Sequence, residues 1–322
     1  MVHWNFELED MAKTRFAISP MWETAAAINA LRNPNLVATH LPWVKQIRPL
    51  IRHMDLTPAF ALLRTQGYIA DFLTPPPTTP LASFADELEV VRSTPTELIL
   101  HDVRLLAESG DDLEALEPFL SDPRGEVERL ADVLQIFWQR AVEPHWHRVR
   151  SLLEADLMYR SRRLTEGGFE RLFGDLHPSV VWEDRTLTLT ENKCETDGSL
   201  HGQGLLLLPS AFSSARTFAM TEQGWQPTLI YPARGVALLW ESGEKAAPEG
   251  LAKVMGTSRA ALLTDLDAPR STSDLAERLG MTAGGVSQHL GALKEAGLVT
   301  AQRNGRSVLY CRSAVADELV VT

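Results

Sequence analysis

The chain has 322 residues, of which 44% are hydrophobic and 23% charged, with a formal net charge of −11. About twice a typical domain length implies two domains, and the ordinary globular composition excludes a disordered, fibrous or collagen-like chain. An acidic whole argues at first sight against a nucleic-acid partner, so the position of the charge matters.

Taken in chain order, Ser19-Pro20 followed by Met21, Trp22, Ala25, Ala26 and Ile28 reads as a capped helix start, and Asn33-Pro34 as its end. Residues 41–63 read as helix in pieces, broken near Pro49 and Pro58. The proline-rich run 74–80 reads as an extended connection, and Thr94-x-x-Glu97 has capping-box spacing ahead of Leu98, Val103 and Leu106. From 125 to 167 the apolar positions Leu130, Leu134, Phe137, Ala141, Val149, Leu153 and Leu157 keep a helical period, with a break at Pro144. After Gly168 the period changes, and Leu187 and Leu189 alternate with threonines. Residues 205–208 and 228–231 also read as strands. The expected class is therefore α+β: a large, mainly helical domain at 1–245 with a small antiparallel sheet, then a linker rich in helix breakers at 242–250.

A new periodic pattern fills 251–322. Thr257 is placed to cap a helix through Ala260, Leu262, Leu263 and Leu266. Ser271-Thr272-Ser273-Asp274 opens a second, with Leu275, Ala276 and Leu279, and Thr282 opens a third, with Val286, Leu290 and Leu293. Only Gly280 and Met281 separate the last two, the spacing of a helix-turn-helix. Asn304-Gly305 then joins two strand-like runs as a hairpin, so the expected unit is a winged helix.

The third helix carries Gly284, Gly285, Ser287, Gln288, Gly291 and Lys294 opposite its apolar stripe, where small and amide side chains permit close approach to a major groove. Arg303 and Arg306 flank the hairpin tip, where two cations are placed to grip phosphates or enter the minor groove. Ser271, Thr272, Thr282, His289 and Asn304 complete the candidate DNA-contacting set.

The motifs Ser273-Asp274-Leu275-Ala276, residues 286–293 (VSQHLGAL), residues 295–299 (EAGLV) and residues 303–310 (RNGRSVLY) resemble the ArsR-like winged-helix repressors. The resemblance implies a homodimeric, operator-binding regulator of double-stranded DNA in which Ser287 and Gln288 read bases and His289 lies near the backbone. Metal-sensing members carry a cysteine-rich motif here, whereas residues 274–294 hold no cysteine, so metal sensing by that route is not expected. The final segment is short for a terminal dimerisation helix, which moves the expected dimer contact to the first domain. Residues 15–23, 206–212 and 231–237 are similar to an uncharacterised domain that precedes ArsR-like winged helices in some bacterial regulators.

Blander readings compete at several places. A helix-turn-helix can be a protein-docking module alone. His145 and His147 do not share a helical face, so with His177 they read as surface residues, and no metal is expected. Gly202-Gln203-Gly204 precedes its strand and reads as a turn, and Ser210 lacks a nucleophile elbow. The run Arg160, Arg162, Arg163 reads as a solvated helix face. Most tryptophans read as core, but Trp22, Trp146, Tyr159, Trp182, Tyr231 and Arg234 are candidates for a pocket holding a small apolar effector. An enzyme using the winged helix for docking is the rival reading. It needs a convergent acid, base or nucleophile set, and none assembles in the sequence, so no enzymatic activity and no cofactor are expected.

Two cysteines far apart, an acidic N-terminus and no apolar run near the roughly 20 residues of a membrane span imply a cytoplasmic protein. The charge also divides. Residues 251–322 hold eight Lys or Arg against seven Asp or Glu, net +1, leaving −12 on the first 250 residues. The acidic balance therefore sits away from the motif and does not exclude DNA.

Overall fold

The computed structural model describes every residue except 34–37, 64–67, 109–112, 192–195, 214–215, 223, 241–246, 267–268, 305–306 and 322. The chain separates into two compact units, one of Met1–His145 with Tyr159–Ala233 and one of Trp146–Met158 with Arg234–Thr322. The expected linker at 242–250 falls largely on 241–246, outside the described residues.

The first unit begins with β1 (Val2–Asn5), α1 (Leu8–Lys13) and β2 (Arg15–Phe16). Its helices follow: α2 (Pro20–Ala30), α3 (Leu41–Ile51), α4 (Thr57–Leu62), α5 (Phe84–Ser93), α6 (Thr96–Glu108), α7 (Leu113–Ser121) and α8 (Pro123–Phe137). Ser19 caps α2 by accepting the Trp22 amide, and prolines open α3, α4 and α8 where no amide partner is needed. Pro49 lies inside α3 near its end rather than breaking it, and Pro58 starts α4. Thr94 does not open α6. It ends α5, with its hydroxyl donated to the Val90 carbonyl. The break at Pro144 is a π turn (Trp138–Val142) followed by a 3-10 turn (Glu143–His145), and the π turn's Ala141 carbonyl accepts from Trp43 Nε1 at 2.7 Å. The next helix, α9 (Trp146–Phe173), carries non-helical backbone at Gly167 and Gly168.

The sheets correct the expectation of one small antiparallel sheet. β3 (Val180–Glu183), β4 (Thr186–Leu189), β5 (Thr196–Ser199), β6 (Leu206–Ser210), β7 (Phe218–Met220) and β8 (Thr228–Pro232) join β1 and β2 in two four-stranded sheets, β3-β4-β1-β5 and β2-β6-β8-β7. Both are mixed: β1 runs parallel to β5, while β2, β6 and β8 run parallel with β7 antiparallel at the edge. The two N-terminal strands are short and polar in sequence, and their partners lie some 190 residues away, which no local period reveals.

The apolar run 205–208 owes its character to burial on both faces. Leu205 and Leu207 point into a core with Val2, Trp4, Leu187, Leu189 and Phe173, while Leu206 and Leu208 pack with Trp22 and Ile230. Gly204, at φ +71, brings the strand entry so close to α1 that a Cβ there would sit 2.5 Å from the Lys13 carbonyl carbon.

The second unit holds α10 (Glu249–Met255), α11 (Thr257–Asp265), β9 (Arg270–Ser271), α12 (Thr272–Arg278), α13 (Ala283–Glu295), β10 (Val299–Asn304), β11 (Ser307–Arg312) and α14 (Ala314–Val321). Its three strands form an antiparallel sheet ordered β10-β11-β9. Leu262, Leu263, Leu266, Leu275, Val286, Leu290 and Leu293 make one core. The expected cap at Thr257 is replaced: Gly256 holds the N-cap position, and Thr257 is the first helical residue.

Candidate nucleic-acid interface

The pair α12 and α13 is set by local chemistry. Ser271 Oγ accepts the Asp274 amide at 3.1 Å and Thr282 Oγ1 accepts the Gly285 amide at 3.2 Å, so each helix starts on a hydroxyl cap. Between them Gly280 adopts φ +61, and the Met281 amide closes on the Ala276 carbonyl at 2.9 Å, a left-handed helix end that glycine adopts without strain. Val286, Leu290 and Leu293 are buried, which leaves Gly284, Ser287, Gln288, Gly291 and Lys294 exposed on the other side. His289 is half-buried at the margin of that face.

Two residues of this face stand out energetically. Gly284 and Gly291 lie within a regular helix, and a Cβ added at either would meet nothing within 4 Å. Gly291 lies in the helix interior, where glycine costs about 0.5–1 kcal/mol relative to alanine, and Gly284 in the first turn. Packing inside the protein does not require these glycines. What they provide is backbone accessible to a surface outside the chain.

The other DNA candidates are spread around α13. Thr272 is half-buried at the start of α12, and Ser271 serves as the cap of its own helix. Arg303 is exposed on β10 opposite Val308, and Asn304 ends that strand opposite Ser307. Arg306 and Gly305 lie outside the described residues.

Behind the exposed face runs an ionic frame that sequence reading missed. Asp265, buried at the end of α11, takes both arms of the Arg278 guanidinium, at 2.7 and 3.0 Å. Arg270 Nε donates to the Asp265 carbonyl at 2.7 Å, and its Nη1 lies 3.5 Å from Asp274 Oδ2. Burial raises the Asp274 carboxyl above its ordinary range, against the pull of Arg270 and Arg278. Glu277 on α12 pairs with His147 and, at 3.5 Å, with Arg148, both on the first turn of α9. A separation of 130 residues hid that link.

The six effector candidates divide between the two units, and in the first Tyr159 and Tyr231 both flank the guanidinium of Arg160. Trp146 and Arg234 belong to the second unit and the other four to the first. Trp182 packs in an aromatic cluster with Phe6, Phe169 and Phe173, and Tyr159 donates to Asp175 at 2.5 Å. Tyr231 is buried in β8 under the guanidinium of Arg160. Arg160 also corrects the reading of 160–163 as a solvated face: it is buried and pairs with Asp175 at 2.6 Å, because the chain turns back after Gly168 and returns that carboxylate to the helix. Arg162 remains exposed. Among the described residues no group of His, Cys, Asp and Glu is arranged to hold a metal, and His177 bonds instead to Ser179.

Trp22 lines a pocket of the first unit, about 420 Å³ with the solvent at its mouth included, with Ile69, Phe212, Phe218, Asn29 and Ser213 among its walls. It lies beyond the carboxyl end of β6, the usual ligand position of a parallel sheet. Trp22 Nε1 donates to Ser213 Oγ at 3.2 Å. Beneath it Glu23, fully buried, accepts the amides of Ala211 and Phe212 at 3.1 Å. Burial lifts the Glu23 carboxyl to about 7 against the hydroxyl of Ser210 and those two amides. Burial likewise pushes the His40 imidazole down to about 4.

No helix among the described residues is long and apolar enough to cross a membrane. Comparison with known proteins returns two family models. Residues 103–237 match a family of unknown function (DUF5937), and residues 238–302 match a helix-turn-helix domain. Neither the curated proteins nor the solved structures yield a match. The C-terminal part of the chain thus carries a helix-turn-helix domain behind a segment of uncharacterised type, a combination that supports a DNA-binding transcription regulator.

Proposed function

We propose that the chain is a one-component, cytoplasmic transcriptional repressor that binds operator DNA as a homodimer through an ArsR-like winged helix. The exposed face of α13 carries this reading, above all Gly284 and Gly291 with open space above them. Ser287 and Gln288 stand between those glycines on the same face and supply hydroxyl and amide groups suited to base edges. Lys294 and Arg303 supply charge for phosphates. The aromatic cavity beside Trp22 is the place proposed for a small apolar effector, and no enzymatic activity is assigned. An effector that favours the DNA-incompetent state releases the operator, tenfold in affinity for about 1.4 kcal/mol of differential binding.

The test is an electrophoretic shift of genomic fragments by the full chain, followed by Gln288→Ala on the selected duplex. The expected result is sequence-preferring binding that falls steeply with salt and weakens by about 1–3 kcal/mol in the variant. Binding that ignores sequence, or that survives Gln288→Ala and Arg303→Gln unchanged, overturns the reading.

A further inference from the structure

The second unit contains a cleft that the DNA-binding face does not use. It spans about 460 Å³ of space between side chains, the solvent at its open mouth included. Four arginines line it: Arg148 from α9, Arg234 from the segment after β8, Arg270 on β9 and Arg278 on α12. Leu152, Ala155, Leu239 and Pro269 provide apolar wall, and Asp274 is the single acid in the lining. Asp265 and Glu277 pair with cleft arginines without lining it. Four cations against one carboxylate give the cleft surface a positive balance.

The arginines are held to different degrees. The fork of Arg278 is filled by Asp265, and Arg270 is anchored on the Asp265 carbonyl. Among the described residues Arg148 has a long 3.5 Å contact to Glu277, and its Nε is buried with no hydrogen-bond partner. A buried guanidinium N–H without an acceptor costs more than an ordinary lost hydrogen bond, because the donor is charged. A planar oxyanion supplies the missing acceptors in the geometry a guanidinium prefers. Arg234, exposed at the cleft edge, adds a second cation, and the apolar wall accommodates a short carbon body.

We propose that this cleft binds a small molecule carrying a carboxylate or phosphate group on a short apolar frame, with Arg148 as its principal anchor. Bound there, the anion rests against α12, the first helix of the helix-turn-helix, and shares Arg270 and Arg278 with the carboxylates that brace it. The binding stands on the cleft alone and does not depend on the regulator reading.

Titration calorimetry of the full chain with citrate and with inorganic phosphate, at fixed ionic strength, tests it. Saturable binding is expected, weakened about tenfold or more by Arg148→Gln, the loss of one charged hydrogen-bonding partner. Arg234→Gln alters an exposed side chain and keeps the fold, so a several-fold loss there guards against misfolding as the cause. Arg162→Gln, at an exposed side chain of the first unit, leaves anion binding unchanged. No saturable binding of either probe, or binding that all three variants retain, overturns the proposal. A duplex affinity that falls in Arg148→Gln while citrate and phosphate fail to bind the unaltered chain assigns the cleft to the DNA backbone and overturns it equally.

Discussion

Glu23, Glu87 and Asp102 of the first unit are buried against backbone amides, whereas Asp265 and Asp274 of the second are buried against arginines. An amide supplies a hydrogen bond without a full opposing charge, so burial dominates and the carboxyl holds its proton to higher pH, about 7 for Glu23 and about 8 for Glu87. A guanidinium supplies charge and fork geometry together, and its removal leaves a charge buried without its partner. The named carboxylates of the first unit are therefore sensitive chiefly to pH, whereas Asp265 and Asp274 depend on their arginines, although burial raises Asp274 as well.

The largest effect is expected at Asp265. Asp265→Ala leaves Arg278, 7% exposed, without its bidentate partner and removes the nearer carboxylate from Arg270. Breaking such a pair costs about 3–5 kcal/mol, enough to unfold the helix-turn-helix before the rest of the chain. Calorimetric scans are expected to split into two transitions. A loss below about 1 kcal/mol would mean that solvent satisfies the arginines and the contrast fails.

Next comes pH. Glu23 titrates near 4.5 when unfolded and near 7 when folded, so the folded chain binds the extra proton and stability falls as pH rises between those values. Glu87 acts in the same sense up to about pH 8. His40 acts oppositely: it is kept neutral down to about 4, and its contribution is lost as pH falls from 6.5. Between pH 6.5 and 8 only the carboxylates of this trio act, and melting temperature should decline. Glu23→Gln, which retains an acceptor for the two amides, should remove a decline on the order of 3 kcal/mol spread over pH 4.5–7, of which only the part above 6.5 falls in that window. An unaltered slope in the variant would place the titrating group elsewhere.

Smaller still is Gly291→Ala. With nothing within 4 Å of the new Cβ, the second unit should gain about 0.5–1 kcal/mol in chemical denaturation. The same variant should bind its duplex more weakly in the shift assay. Gained stability with unchanged DNA binding would remove the argument from the glycines.

The helix-turn-helix was legible because its determinants are local. Ser271, Thr282, Gly280 and the spacing of Val286, Leu290 and Leu293 act within one or two turns of chain. What stayed hidden depends on contacts far apart in sequence: β1 and β2 completing two mixed sheets, Arg160 meeting Asp175 after a glycine break, Glu23 reaching amides 188 residues on. Arg160 is the instructive case. A charged run on a helix normally faces water, and nothing near it in sequence records that a carboxylate and a tyrosine ring enclose one of its three arginines.

The smallest effect is expected where the second unit joins its distant helical turn. Glu277 is 49% exposed and pairs with His147 and Arg148. A carboxylate so exposed gains little from either partner, since water and salt screen the pairing, and Glu277→Ala should cost no more than about 1 kcal/mol. The cost should shrink further in 0.5 M salt, whereas that of Asp265→Ala should persist, because a buried pair is screened much less. If Glu277→Ala proves as damaging as Asp265→Ala, the turn carrying His147 and Arg148 is held chiefly by that carboxylate. The buried frame around Asp265 would then lose its place as the main support of the DNA-binding face.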